Sequence, residues 1–306
     1  MRGRRSQLAL SRTLGYQSNA IYSWEAGHAS PPASRFFAFA QAVGVRQQAA
    51  LARFFRTVPT RLVRANLATA PGVRALLQEL LGTTRLTALA AASGLSRFSL
   101  SRWIHGKGQP DLSDLLCFVE HTSMRLPDLI ATWVDPLKVP SIADRWSQLQ
   151  RTRSVGYEFP FSHAVLRALE ISSTQPAADE TAQLCALLGA PKAEVEHCLS
   201  QLAASGQIRR RRDRFWPRSE KLVDFRHDPQ AAQQLKAYWA ALAHERTKQP
   251  RDGLFAYTVF AVSKADLARV QTLQRDYIRQ MRTIIAASEP SEVVALANFQ
   301  IFDLGR

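Results

Sequence analysis

One frame is written twice in this chain. Gly15 to Gly27 and Gly94 to Gly106 begin and end on glycine, and each places an aliphatic residue (Ile21, Leu100) and a tryptophan (Trp24, Trp103) at the same offsets. The match runs on without a gap. Pro31 answers Pro110, and Phe36, Phe37 and Phe39 answer Leu115, Leu116 and Phe118. Each frame fits a helix, a tight glycine turn and a second helix with a free outer face. That is the organisation of a helix-turn-helix, and it makes DNA the first expected partner.

Charge points the same way. The 306 residues carry 40 Lys+Arg against 25 Asp+Glu, a net +15. A polyanionic partner, nucleic acid or an anionic membrane face, is the direct inference; the bland alternative is solubility or an arginine-rich genome. The excess is uneven. Residues 1–70 hold ten arginines and one acid, Glu25, whereas residues 71–137 hold six of each sign.

Cys117, Cys185 and Cys198 are too few and too irregular for a disulfide framework, so a reducing compartment fits. No apolar run approaches a membrane span, and the basic start Met1-Arg-Gly-Arg-Arg leads into no apolar signal segment. A soluble, cytoplasmic, nucleoid-associated protein is expected.

Four parts are expected. Residues 1–70 read as helix 6–14, the Gly15 turn, a helix from about Ser18 to Glu25, a helix after Ser30-Pro-Pro, and a basic helix over 46–68 carrying Arg46, Arg53, Arg56, Arg61 and Arg64. Pro71-Gly72 opens residues 71–136, a second set of helices at 73–81, 87–93, 97–104, 111–121 and 127–134. Pro136 and Pro140 mark a linker. Residues 137–218 read as a winged helix: helices 161–171, 179–188 and 192–204, then a hairpin anchored by Ile208, Phe215 and Trp216. Residues 219–306 read as a small α+β module. After a helix near 229–248 come a strand Leu254–Val262, a long amphipathic helix 264–287 and a strand Val293–Leu304. The fold class is therefore mainly α, with tandem helix-turn-helix domains, a winged helix and a strand–helix–strand module.

Base reading needs short polar or basic side chains at the start of a helix that enters the major groove. In the first copy these are Gln17, Ser18, Asn19 and Ser23. Gln7 is placed to meet a phosphate, and Arg2, Arg4, Arg5 and Arg12 add a counterion-releasing surface. In the second copy the outward positions are Ser96, Arg97, Phe98 and Arg102. This copy either reads DNA, since arginine suits guanine, or serves as a scaffold or dimer surface. Arg209, Arg210, Arg211 and Arg212, with Arg214, suit a wing along phosphates or in a narrow minor groove; a solvated charged hairpin is the alternative.

Ser6–Gly44, with Gln7, Ile21, Glu25 and Gly27, resembles the Cro/lambda-repressor type of helix-turn-helix. Arg5-Ser-Gln, Leu14-Gly-Tyr, Ser18-Asn and Trp24-Glu-Ala-Gly27 are similar to a set of bacterial regulators that also carry an uncharacterised C-terminal domain. Tyr157, Phe161-Ser-His163, Ala237-Tyr-Trp239 and the ending Val294-Ala-Leu to Phe302-Asp-Leu304 resemble that domain's signature. The resemblance implies transcriptional regulation. Two departures stand out. Only Met1–Arg5 precede the Gln7 helix, so the native start lies upstream, or Arg2 or Arg5 partners Glu25, or the first copy is structurally incomplete. The second copy has Ile104 in place of Glu25 and Leu86 in place of Gln7.

Enzyme signals are poor. His197-Cys198 with Cys185 is no recognised metal spacing, His244-Glu245 lacks a second zinc-protease histidine, Gly106-Lys-Gly108 is no phosphate loop, and His163 reads as a helix-capping or packing residue rather than a base. No cofactor or metal is expected. The expected function is sequence-specific, double-stranded-DNA-binding transcriptional regulation by a non-enzymatic homodimer. Two alternatives remain. One is a protein-interaction regulator that docks through the same helices, as an antitoxin or anti-activator does. The other is an RNA binder, which lacks an evident aromatic stacking platform. A small effector, the operator and the sign of regulation are not legible.

Overall fold

The computed structural model describes residues 2–305 apart from 56, 83, 175–178, 213, 219–224, 226–227 and 249–252. Arg56 of the basic stretch and Asp213 of the hairpin lie outside the described residues. The chain is mainly helical and divides into two compact units, Met1–Trp146 and Ser147–Arg306.

In the first unit, α1 (Gln7–Thr13), α2 (Ala20–Glu25), α3 (Ala33–Ala42), α4 (Gln47–Phe55) and α5 (Thr60–Val63) come first. Ser6 caps α1, its hydroxyl accepting from the Ala9 amide at 3.4 Å. Leu10, Leu14, Ile21 and Phe39 are buried together, with Tyr16 and Trp24 packed against them. The single basic helix expected over 46–68 is instead α4 and α5 with a break between them. Pro59 stands at the N-cap of α5, where its missing N–H and its constraint on the preceding residue cost nothing; inside a continuous helix both would.

The same unit continues with α6 (Ala70–Leu81), α7 (Leu86–Ser93), α8 (Arg97–Ile104), α9 (Leu112–Ser123) and α10 (Leu126–Ala131), followed by a 3-10 turn at Pro136–Lys138. Helix α6 packs on α3 and α5 as well as on α8 and α9. Residues 1–70 and 71–136 consequently share a core. Phe36, Phe37, Leu51, Phe54 and Leu62 join Leu76, Leu89, Leu100, Trp103, Leu115 and Phe118 in one buried cluster. Trp133 meets the rings of Phe36 and Phe37 edge-on at 4.9 and 5.9 Å. At the seam the Ala33 amide donates to the Pro110 carbonyl (2.9 Å) and the Leu112 amide to the Pro31 carbonyl (2.8 Å), around a bridge between Pro32 and Asp111.

The linker expected at Pro136 and Pro140 is the 3-10 turn at Pro136–Lys138 with Val139, and helix α11 (Pro140–Glu158), not expected from the sequence, follows directly. Its composition is polar, which reads from sequence as a connector, and proline at the first helical position starts a helix rather than breaking one. Then come α12 (Ser162–Thr174), α13 (Glu180–Leu188), α14 (Lys192–Ala204) and an antiparallel pair, β1 (Ile208–Arg211) and β2 (Arg214–Pro217). Phe161, Val165, Leu169, Leu184, Val195, Leu199, Leu202 and Ile208 form the core of this second unit. The hairpin alternates as a strand pair must: Phe215 packs inward while Trp216, expected to anchor the hairpin, is exposed.

The C-terminal part holds α15 (Pro229–Thr247) and α16 (Lys264–Ala287). Neither strand expected there forms: Leu254–Val262 and Val293–Leu304 have no ladder, so the expected strand–helix–strand module is a helix between two irregular segments. Strand-forming residue types are present, but a strand also needs a partner to take its backbone hydrogen bonds, and the described residues of the chain offer none.

Candidate nucleic-acid interface

The turn between α1 and α2 is built from small residues. Gly15 takes φ +82°, a region that L-residues with side chains seldom adopt. Ser11, fully buried, donates to the Gln7 carbonyl (2.8 Å) and accepts from the Ile21 amide (3.0 Å), which ties the start of α2 to the middle of α1. Asn19 caps α2, its Oδ1 accepting from the Tyr22 amide at 3.3 Å and meeting the Ser11 hydroxyl at the same distance. Its side-chain oxygen is thus occupied in holding the turn, and the residue is half-buried. Gln17 and Ser18 are exposed, and Ser23 is half-buried on the same short helix.

The open question about Glu25 has an answer in the geometry. The Arg2 guanidinium reaches it through two bonds, Nε to Oε1 at 2.8 Å and Nη2 to Oε2 at 3.2 Å. The Gln7 side-chain amide donates to the same carboxylate. The Arg2 bond, more than the weaker contribution from Gln7, holds the Glu25 carboxyl below its usual range, and the partnership raises Arg2 in turn. Gln7 is therefore partly engaged within the protein. Arg5 is turned onto the Val43 carbonyl, while Arg4 and Arg12 are exposed.

The second copy repeats the turn with Gly94 at φ +71°. Leu100 and Trp103 of α8 face the core, and Ser96, Arg97, Phe98 and Arg102 are exposed, Phe98 to 70%. The Arg102 guanidinium lies over the Phe98 ring at 5.6 Å. Where the first copy uses Arg2 and Glu25 to brace α2, the second uses α6: the Gln78 side-chain amide donates to the Ile104 carbonyl at 2.9 Å.

In the second unit Arg209, Arg210, Arg211 and Arg212 are all exposed on β1 and its turn, Arg212 at φ +53°. Arg210 stands over the Phe215 ring at 5.7 Å. The residue that orients this hairpin was not singled out from the sequence. Glu180, buried at the start of α13, accepts from the Phe215 amide (2.8 Å) and from Ser172 (3.3 Å). A carboxylate just after the Asp179 cap reads as an ordinary helix-start acid, so no sequence signal separates it.

The interface candidates thus fall into two groups. Gln17, Ser18, Asn19, Ser23, Ser96, Arg97 and Arg102, with Arg4, Arg5, Gln7 and Arg12, sit in the first unit; Arg209–Arg212 sit in the second. Among the described residues no group of three His, Cys, Asp or Glu could hold a metal, and no helix is long and apolar enough to cross a membrane. Burial raises the Cys198 thiol to about 11. An apolar cavity beside Phe54 and Trp133 holds about 20 Å³, room for roughly one water.

His163 sits between Phe225, at 4.2 Å between ring centres, and Trp239, at 6.4 Å. Its Nε2 is enclosed, with no hydrogen-bond partner among the described residues. Burial above all, with Arg167 nearby, lowers its pKa to about 4. It packs as a neutral ring.

A family model described as Domain of unknown function (DUF4423) matches residues 143–304. No curated protein and no solved structure matches the chain.

The depressed pKa of His163 makes a prediction. Above about pH 6.5 the ring is neutral folded or unfolded and contributes no pH dependence. Between pH 6.5 and 4 only the unfolded chain takes up the proton, so stability falls by about 2–3 kcal/mol across that window. Denaturant titrations of the wild type and His163→Asn from pH 7.5 to 4 should show a flatter dependence in the variant. Parallel profiles would contradict the buried neutral ring.

Proposed function

The chain belongs to the family defined by the domain of unknown function DUF4423, and we propose that it is a sequence-specific, double-stranded-DNA-binding transcriptional regulator that works without enzymatic chemistry. In this reading α1–α2 and α7–α8 are helix-turn-helix pairs of the Cro/lambda-repressor type. Helices α12–α14 with β1 and β2 are a winged helix. The observation that carries the reading is the repeated turn geometry: two helix pairs, each braced from behind, expose Gln17 and Ser18 in one copy and Ser96, Arg97 and Arg102 in the other. The ten arginines of residues 1–70 supply the phosphate attraction. The wing arginines extend it, on a hairpin whose seat is set by Glu180. A cytoplasmic, nucleoid-associated location follows from the function proposed.

A homodimer is part of the proposal, and a separate observation supports it. Residues 254–304 expose fifteen large apolar side chains, among them Leu254 at 97%, Tyr257 at 92% and Leu304 at 77%. Even at a fraction of the roughly 150–250 Å² of an aromatic side chain each, they amount to on the order of 1,000 Å² or more. An ordinary monomer's largest patch is about 300–600 Å², while a stable interface takes about 800 Å² from each partner. The segments 254–262 and 293–304 carry strand patterning without a ladder, and a second copy would complete it. The alternative reading is a regulator that docks another protein through the same helix pairs, as an antitoxin or anti-activator does.

The DNA reading is tested by titrating the full chain against labelled genomic fragments at several salt concentrations. Binding should weaken steeply with salt. Arg210→Ala should weaken all sequences alike and lower the salt slope by about 1. No binding at low salt, or binding indifferent to salt, sinks the proposal.

Sedimentation of the purified full chain separates the partner readings. A self-associated species that dissociates on Tyr257→Asp with Leu273→Asp is expected. A monomer that co-purifies stoichiometrically with a second protein, free of nucleic acid, would favour the docking alternative.

A further inference from the structure

Two copies of one frame can follow each other by translation or face each other about an axis. The hydrogen bonds at the seam distinguish the two. Each position of the first copy has a counterpart 79 residues on, as Gly15 to Gly94 (94 − 15) and Pro31 to Pro110 (110 − 31) show. Three helix pairs keep this spacing at their starts: α1 and α7 begin at Gln7 and Leu86, α3 and α9 at Ala33 and Leu112, and α4 and α10 at Gln47 and Leu126, while α8 begins at Arg97, two residues ahead of the counterpart of Ala20, where α2 begins.

At the seam the contacts exchange partners. Ala33 donates to Pro110 (2.9 Å); the counterpart of Ala33, Leu112, donates to the counterpart of Pro110, which is Pro31 (2.8 Å). One step outward the pattern recurs. The Ser34 amide donates to the Gln109 side chain (3.2 Å), and its counterpart, the Ser113 amide, donates to the side chain of Ser30, the counterpart of Gln109 (3.4 Å). At the centre Pro32 and Asp111 oppose each other in an antiparallel bridge, and each is the other's counterpart. Helix α3 touches α9 and α4 touches α10, again counterpart on counterpart. Contacts of i with j repeated as j with i are the signature of a two-fold interface; a translation would not produce the reverse contact. Residues 7–131 are thus an internal pseudo-dimer whose axis runs between Pro32 and Asp111. The buried cluster crosses it, which fixes the two copies relative to each other.

We propose, resting on the DNA-binding reading, that the first unit of a single chain reads both halves of one operator, and that these halves are inverted in orientation but unlike in sequence. They are inverted because a two-fold relates α2 to α8, as it relates the two recognition helices of a helix-turn-helix dimer to a palindromic site. They are unlike because the outward residues differ at every counterpart position. Gln17, Ser18, Asn19 and Ser23 stand against Ser96, Arg97, Phe98 and Arg102. The first set offers an amide and hydroxyls. The second offers guanidinium groups that suit guanine O6 and N7, and an exposed ring that suits a thymine methyl. Covalent linkage supplies the second recognition helix at a fixed place rather than by association, and it frees the two halves to diverge.

The test is selection of bound duplexes from a random pool by the full chain, repeated with two exposed-face variants, Gln17→Ala/Ser18→Ala and Arg97→Ala/Arg102→Ala. The wild type should enrich two unlike half-sites in inverted orientation. Each variant should lose base preference, by about tenfold, in one half only, and the two variants in opposite halves. Enrichment of a direct repeat or a single half-site would overturn the pseudo-dimer proposal while leaving DNA binding intact. So would a perfect palindrome in which one variant disturbs both halves and the other neither. Enrichment of no sequence by the wild type would overturn the regulator reading itself, and this one with it.

Discussion

The first unit depends on the seam between Pro31–Ala33 and Pro110–Leu112. Two short loops, each following one copy of the Gly-to-Gly frame, bond to each other through the Ala33 and Leu112 amides, each donating to a proline carbonyl of the other loop. The bonds also dock α3 and α9 side by side, and this lets Phe36 and Phe37 share a core with Leu115, Phe118 and Trp133. That core also holds Leu100 and Trp103 of α8, while α2 is tied to α3 through Ile21 and Phe39 in a cluster of its own. Each is then braced by its own device: an arginine–carboxylate pair in the first copy, and the helix α6 with Gln78 in the second.

The bracing explains why the two copies diverge as they do. Glu25 needs a cation, and Arg2 supplies it. Ile104, in the same place, needs a packed helix at its back, and α6 is that helix. Asn19 spends its side-chain oxygen on capping α2, whereas its counterpart Phe98 has no such duty and stands in solvent. In the second unit the equivalent constraint is Glu180, whose two oxygens join α12 to the hairpin and set where Arg209–Arg212 project.

Much of this was legible in the chain because it is local. Glycine at 15 and 94, helical spacing of Leu100 and Trp103, and the helices 192–204 and 264–287 follow from period and punctuation alone. The failures have two causes, weak or overlooked local signals and dependence on distant partners. Helix α11 is too polar to announce itself, and α4 and α5 part at Pro59. The segments 254–262 and 293–304 are rich in strand-forming residues but find no ladder within the described chain. The exposed site residues were visible as residue types. Their engagement was only partly so: Arg2 stood among the possible partners of Glu25, but nothing in the spacing showed that Gln7 joins it across 18 residues or that Asn19 is spent on capping α2.

Hydrogen–deuterium exchange of the full chain, with and without an equimolar duplex enriched by it from genomic DNA, tests the central claim most directly. The account predicts slowed exchange in both the 17–25 and the 96–104 segments, since both recognition helices dock on one duplex. Slowed exchange in neither segment, with the DNA bound elsewhere or not at all, would contradict it.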